Sequence, residues 1–240
     1  MYGYHPVKAA LLNQSRVIHR LVLTQNAANR LARDIGSIDH LNPEIRVTKY
    51  FTELFGSDTT HQGFALELLP LEERGLESLD LLNSPGQPIV ILDQVTDPQN
   101  IGAILRSAEA FYGKAIITTS RNAPGETGAL AKTSSGAIER IPIIRVTNLT
   151  VAMAKLKEKG FWLIGLDLLG ENELETVLQE TTDVKIGFVM GAEGKGLRDS
   201  VKKKCDYLAH ITINNSINSL NVSIATSICL YSAFRIRNTK

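Results

Sequence analysis

The sequence predicts an α/β protein: a larger domain built on a doubly wound parallel sheet, preceded by a small α/β domain. Three observations carry that expectation. From Ile89 onward, six short apolar runs alternate with helical patterns, as strand–helix–strand units do. Two of those runs, Ile186–Met190 and Tyr207–Ile213, end in loops crowded with glycines, amides and hydroxyls. Between the two regions, Leu71–Pro88 (LEERGLESLDLLNSPGQP) breaks the alternation with acids, glycines and prolines. The expected organisation is therefore a first domain at 1–70, a linker with one helical turn at 71–87, and a second domain at 88–240.

In the first domain, Val7–Leu12 continues a helical pattern after Pro6, which is tolerated at a helix start. Arg16–Leu23 reads as a strand. Ala27–Ile35 has helical spacing through Ala28, Leu31, Ala32 and Ile35, with Gly36 as the stop. Ile45–Val47 is a weak strand, Tyr50–Phe55 a helical turn ending at Gly56, and Phe64–Leu69 the last strand. Arg16, His19, Arg20, Arg30, Arg33, Arg46 and Lys49 make this region basic, which suits RNA phosphates and equally suits a solvated face. His61-Gln62-Gly63 precedes the last strand. It reads either as a nucleotide contact or, more simply, as a turn bonded to itself.

In the second domain, Ile89–Asp93 (IVILD) is the unbroken apolar run of a buried parallel strand. The loop Gln94–Gln99 leads to Asn100, read as the N-cap of a helix extending to Gly113. Its buried stripe is Ile101, Ile104, Leu105, Ala108 and Phe111. Arg106 lies away from that stripe, among Gly102, Ala103 and Ala110, whose small side chains leave room for a backbone, a partner subunit or a substrate. The plainer reading is an ion pair with Glu109, worth a few tenths of a kcal/mol. Further strands are expected at Ala115–Thr119, Ile141–Val146 and Phe161–Asp167. Helices are expected at Ala129–Ser135, Leu149–Lys159 and, weakly, Glu171–Glu180.

With 240 residues, 43% hydrophobic and 21% charged, the chain can bury a substantial core. A net charge of +1 does not by itself point to nucleic acid. Cys205 and Cys229 lack CxxC spacing, so neither a disulfide framework nor a zinc site is expected, and a reducing cytoplasm is. The N-terminus MYGYHPVKAALL does not read as a signal peptide, and no run approaches the ~20 apolar residues that span a bilayer. No membrane partner is expected.

The chemistry should sit where the two polar loops open, at the carboxyl end of the sheet. Gly191–Gly196 (GAEGKG) is neither a dinucleotide fingerprint nor an NTP phosphate loop. No nucleophilic triad or metal-ligand spacing appears, so no metal is expected. What the loops offer is backbone amides, Glu193, and Asn214, Asn215, Ser216, Asn218, Ser219 and Asn221. With Arg106, that set suits alignment of a polar ligand for transfer of an already activated group.

DPQNIGAILRSAEAF, GFVMGAEGKGL and NSLNVSIATSICLY, in that order, resemble the three motifs of the SpoU (TrmH-like) family of RNA 2′-O-ribose methyltransferases. The resemblance continues through KTSSGAIERIPIIRVTNL and GFWLIGLD, and through YHPVKAAL and HQG near the N-terminus, so it spans nearly the whole chain. It is strongest to the subgroup that methylates a guanosine ribose in 23S rRNA. The resemblance implies a SPOUT-type parallel sheet with a C-terminal trefoil knot and a small N-terminal L30e-like substrate-binding domain. It implies S-adenosylmethionine as cofactor, RNA and not DNA as partner, and a homodimer with the active site near the subunit interface. Carried over by position, Arg106 is catalytic, with Asn100, Glu193, Ser219 and Asn221 completing the site. Gly191, Ile211 and Leu220 contact the cofactor, with Met190, Ile213 and Thr118 in the same set. The loop INNSINS is richer in amides than the family pattern, and Tyr112 stands where a smaller residue is usual.

Two other readings compete. One is a tRNA 2′-O-methyltransferase. The other is a non-catalytic RNA-binding or ribosome-assembly protein of the same fold, against which the retention of Asn100, Arg106, Glu193 and Asn221 speaks. A small-molecule methyltransferase leaves the basic first domain without a use.

Overall fold

The computed structural model describes the chain except residues 82–85, 122, 215, 217, 218, 239 and 240. Asn215 and Asn218 of the second polar loop, and 82–85 of the linker, thus lie outside the described residues. The chain divides into two compact units. One comprises Met1–Glu72 with Glu126–Arg140, the other Glu73–Gly125 with Ile141–Lys240.

The first unit contains α1 (Tyr4–Leu12), β1 (Ile18–Leu23), α2 (Gln25–Ile35), β2 (Glu44–Ile45), α3 (Thr48–Phe55) and β3 (Phe64–Leu68). Its sheet runs β2-β1-β3, with β1 parallel to β2 and antiparallel to β3. α2 starts where Thr24 Oγ1 accepts from the Ala27 N–H, and ends at Gly36, whose φ of 87° suits glycine. Tyr4, Val7, Leu21, Leu23, Leu31, Phe64 and Leu66 make the core. The second segment of this unit carries α5 (Gly128–Ser134). It belongs here because the buried Arg16 guanidinium lies 2.7 Å from Glu126 and 2.9 Å from Glu139. Removing a guanidinium and two carboxylates from water is tolerable only when each carboxylate lies against the cation, as here.

The second unit is a seven-stranded, wholly parallel sheet. Its strands are β4 (Ile89–Asp93), β5 (Ala115–Thr119), β6 (Ile143–Val146), β7 (Phe161–Leu166), β8 (Asn172–Glu173), β9 (Lys185–Gly191) and β10 (Tyr207–His210), in the order β6-β5-β4-β9-β7-β10-β8. β4 is buried along its length, as its unbroken apolar sequence requires. The helices are α4 (Pro98–Ala110), α6 (Leu149–Glu158), α7 (Leu174–Glu180), the short α8 (Asp199–Lys202) and α9 (Val222–Asn238). α4 packs on α9, and Ser107 Oγ lies 2.6 Å from Ser227 Oγ. The stretch read as a linker forms a 3-10 helix at Leu76–Leu81. Leu79 enters the core and Arg74 bridges to Ile144 beside β6.

Three expectations change. Asn100 is not the N-cap of α4. Asp97 is: its side chain accepts from the Gln99 N–H, and Pro98, which lacks the N–H a first-turn residue can spare, opens the helix. β10 stops at His210 rather than Ile213, because Ala209 already pairs with Leu166, the last residue of β7. The weak helix expected at Glu171–Glu180 opens instead with β8, which pairs with β10, before α7 begins.

Candidate active site

The two polar loops open at one end of the parallel sheet of the second unit and enclose a cavity of about 490 Å³. Its first wall is the turn after β9. A Cβ on Gly191 would lie 2.2 Å from the Gly196 carbonyl carbon, so the returning backbone fits only against glycine. The Gly196 N–H donates to Ala192 O (2.9 Å), and Gly194 and Gly196 take φ of 78° and 65°. The exit of the turn is tied to β4. The Arg198 N–H donates to Asp93 Oδ2 (3.0 Å) and its Nε to Asp93 Oδ1 (2.8 Å). Asp93 is 1% exposed, so this carboxylate is a fixed anchor for the loop.

The second wall follows β10. Released from the sheet, Ile211 and Ile213 line the cavity with Ser219, Leu220, Val222 and Ala225. The third is the end of β7, where Asp167 and Lys202 form an ion pair at 2.5 Å. Burial works against the charged Asp167 carboxylate, but Lys202 and the Leu169 N–H outweigh it and hold the pKa below the usual range.

At the mouth lies a cluster of amides. Asn221 precedes α9, and its Oδ1 accepts from the N–H (2.9 Å) and hydroxyl (2.6 Å) of Ser223, as an N-cap does. That fixes its Nδ2, which donates to Asn100 Oδ1 (3.0 Å) and reaches Glu193 Oε2 at 3.4 Å. Three residues from three separate motifs thus meet through one side chain.

Met190, Gly191, Glu193, Ile211, Ile213, Ser219 and Leu220 all line the cavity; Asn221 joins them through Glu193, and Asn100 joins through Asn221. Arg106 is exposed on α4 and does not line the cavity. Thr118 does not line it either. It is fully buried on β5, which pairs with β4 and β6, whereas the cavity is walled from β7, β9 and β10. Its Oγ1 has no hydrogen-bond partner among the described residues. Sequence reasoning missed Asp93, Arg198, Asp167 and Lys202. The available signal was a carboxylate ending each of two apolar runs, IVILD and FWLIGLD.

Residues 87–231 match the model of the SpoU rRNA methylase family, and residues 1–74 match the model of an RNA 2′-O ribose methyltransferase substrate-binding domain. The chain belongs to the SpoU family. It is 37% identical to the 23S rRNA (guanosine-2′-O-)-methyltransferase RlmB of Pseudomonas syringae pv. tomato, over 100% of this chain and 96% of that one. It is 32% identical to a putative TrmH family tRNA/rRNA methyltransferase of Staphylococcus saprophyticus, over 98% and 95%. Among solved structures, the SpoU methyltransferase AviRb from Streptomyces viridochromogenes, in complex with AdoMet, superposes with a TM-score of 0.80 at 22% identity, covering 100% of this chain and 90% of that one. The SpoU fold and the small N-terminal substrate-binding unit therefore stand as the motifs implied.

Proposed function

We propose that this protein transfers a methyl group from S-adenosylmethionine to the ribose 2′-oxygen of a guanosine in 23S rRNA. The observation that carries the reading is that the second and third motifs line one cavity, while Asn221 joins Asn100 of the first motif to Glu193. Full-length relatives that carry the 23S rRNA guanosine name support the substrate.

The cavity fits the cofactor. Apolar Met190, Ile211, Ile213 and Leu220 suit a flat heterocycle, the backbone at Gly191–Gly196 offers close approach, and Glu193, Ser219 and Asp167 supply polar contacts. S-adenosylmethionine, when bound, supplies a methyl group already activated on a sulfonium. The residues therefore have to align and insulate more than to activate. The apolar walls exclude water. The Asn100–Asn221–Glu193 cluster holds the mouth in one geometry. Arg106 binds the neighbouring phosphate and stabilises negative charge developing on the attacking oxygen, because a guanidinium stays protonated and makes a poor base. Thr118 has no part in this reading.

The finer points belong to the same proposal. The C-terminal part of the sheet is threaded into a trefoil knot, a reading supported by the order in which β9 lies between β4 and β7. The protein is a homodimer, supported by exposed Ile224 and Tyr231 on α9 and exposed Tyr112 after α4. Among the described residues no helix is long and apolar enough to cross a membrane. A cytoplasmic location belongs to the same proposal, supported by the rRNA substrate named for the relatives. The functional outline proposed is a substrate-binding domain at 1–70, a linker at 71–87 and a catalytic domain at 88–240, with Glu126–Arg140 grouped with the first of these. A tRNA substrate is the second reading, favoured by the Staphylococcus saprophyticus relative's tRNA/rRNA name.

Labelled methyl transfer from S-adenosylmethionine to unmodified 23S rRNA or to tRNA decides between the two. Arg106→Lys is expected to lower kcat at least tenfold with cofactor affinity unchanged, since an ammonium lacks the planar fork. Turnover near that of the parent would show that the planar fork of Arg106 is not needed.

A further inference from the structure

The loop His61-Gln62-Gly63 plays no part in the cavity described above. In the first unit it is a self-bonded turn: the Gly63 N–H donates to His61 Nδ1 (3.0 Å), and Gln62 and Gly63 take φ of 57° and 78°. The turn holds the imidazole in one pose, stacked on Phe51 at 5.2 Å and 15°. With Nδ1 accepting, the neutral ring carries its proton on Nε2, a donor at the far side from the turn.

Lys132, carried by α5, is fixed against the same loop. Its ammonium donates to Thr60 O (3.0 Å) and Gln62 Oε1 (3.3 Å), both neutral oxygens that orient the charge without neutralising it. Gly3 closes in from another side. At φ 90° it brings its backbone so near that a Cβ would lie 2.9 Å from Lys132 Nζ. Burial lowers the Lys132 pKa. Burial, and then the charge of Lys132, lowers that of His61. Gln62 Oε1 also accepts from the Tyr4 N–H (3.2 Å), and around the Tyr4 ring stand Arg30 (3.6 Å from its centre) and Lys8, with Asp34 as the neighbouring acid. A half-buried ammonium and an imidazole N–H are thus both held against the loop at 60–63, with Arg30 and Lys8 nearby, and two oriented donors of this kind suit an anion.

We propose that Lys132 and His61 form a phosphate-binding site for the backbone of the RNA substrate. The proposal rests on the reading of the protein as an RNA methyltransferase. It adds a residue that lies outside the 1–74 match to the substrate-binding domain, so the site is assembled from two separate segments of the chain.

The test compares the full-length parent, Lys132→Gln and Lys132→Arg by filter binding to an unmodified 23S rRNA transcript over a series of KCl concentrations. Calorimetry with S-adenosylmethionine runs in parallel. Lys132→Gln is expected to weaken RNA binding about tenfold and to reduce the slope of log K against log[salt] by about one, the signature of one lost phosphate contact. Lys132→Arg is expected to retain most of both. S-adenosylmethionine affinity and melting temperature are expected to stay at parental values in each. An unchanged salt slope in Lys132→Gln overturns the site, as does an equal loss in Lys132→Arg accompanied by a lower melting temperature, which would mark Lys132 as a structural tether. A parent protein that shows no saturable RNA binding would overturn the proposed function itself.

Discussion

Replacing Gly191 by alanine tests whether the turn after β9 sets the shape of the cofactor cavity. The added Cβ would lie 2.2 Å from the Gly196 carbonyl carbon and 2.5 Å from both Gly196 O and Leu197 N. These are backbone atoms and cannot rotate away. Relief to an ordinary contact requires the returning strand of the turn to move by about 1.2 Å. That strand leads directly to Arg198, whose bonds to the buried Asp93 resist the movement. The strain is therefore shared between a loss of about 1–3 kcal/mol in stability, typical of overpacking, and a displaced cavity wall. A misplacement of about 1 Å can cost about a hundredfold in rate. kcat/KM for methyl transfer to 23S rRNA is expected to fall about a hundredfold, with S-adenosylmethionine affinity falling in calorimetry while RNA binding by the first unit persists. Activity of Gly191→Ala within threefold of the parent would refute this account of the wall.

Other changes probe the framework. Thr118→Val removes a buried hydroxyl that lacks a partner among the described residues, so thermal melting should show equal or higher stability, by up to about 1 kcal/mol, and calorimetry an unchanged cofactor affinity. A loss of affinity would return Thr118 to the cofactor set. Arg16→Met leaves Glu126 and Glu139 without their buried cation and is expected to cost about 3–5 kcal/mol in urea unfolding of the first unit. A cost under 1 kcal/mol would contradict the role given to this cluster. Burial, and then Asp206, pushes the Cys205 thiol up to about 12, and burial pushes fully buried Cys229 up as well. Burial disfavours the thiolate, so at pH 8 neither cysteine should react with iodoacetamide until the protein is unfolded, as mass spectrometry would show.

The strands were legible where both faces of the sheet are covered. IVILD at Ile89–Asp93 and the run Ala115–Thr119 have the boundaries the sequence suggests, because both are unbroken runs of buried-strand residues until a polar residue ends each. Boundaries slipped where a local signal competed with a distant one. Asn100 looks like an N-cap, yet Asp97, three residues earlier and followed by Pro98, takes that role and frees Asn100 to meet Asn221. Tyr207–Ile213 looks like one strand, but the length of β7 decides where pairing ends. The sheet order was not legible, since parallel pairing joins segments far apart in the chain without any local mark. The same holds for residues 126–140, whose place with the first unit depends on Arg16 choosing carboxylates 123 and 110 residues away. In the site, the residue types and the end of the sheet were readable from the loops alone. Their joint role came from the resemblance, and the bonds among Asn100, Glu193 and Asn221 came only from the structure.

The most direct measurement is a map of ribose 2′-O-methylation across total RNA from cells with and without this protein. Loss of a single 2′-O-methylguanosine in 23S rRNA, restored by the parent protein but not by Gly191→Ala, is the expected result. An unchanged 23S rRNA map, or a loss confined to tRNA, would contradict the proposed substrate.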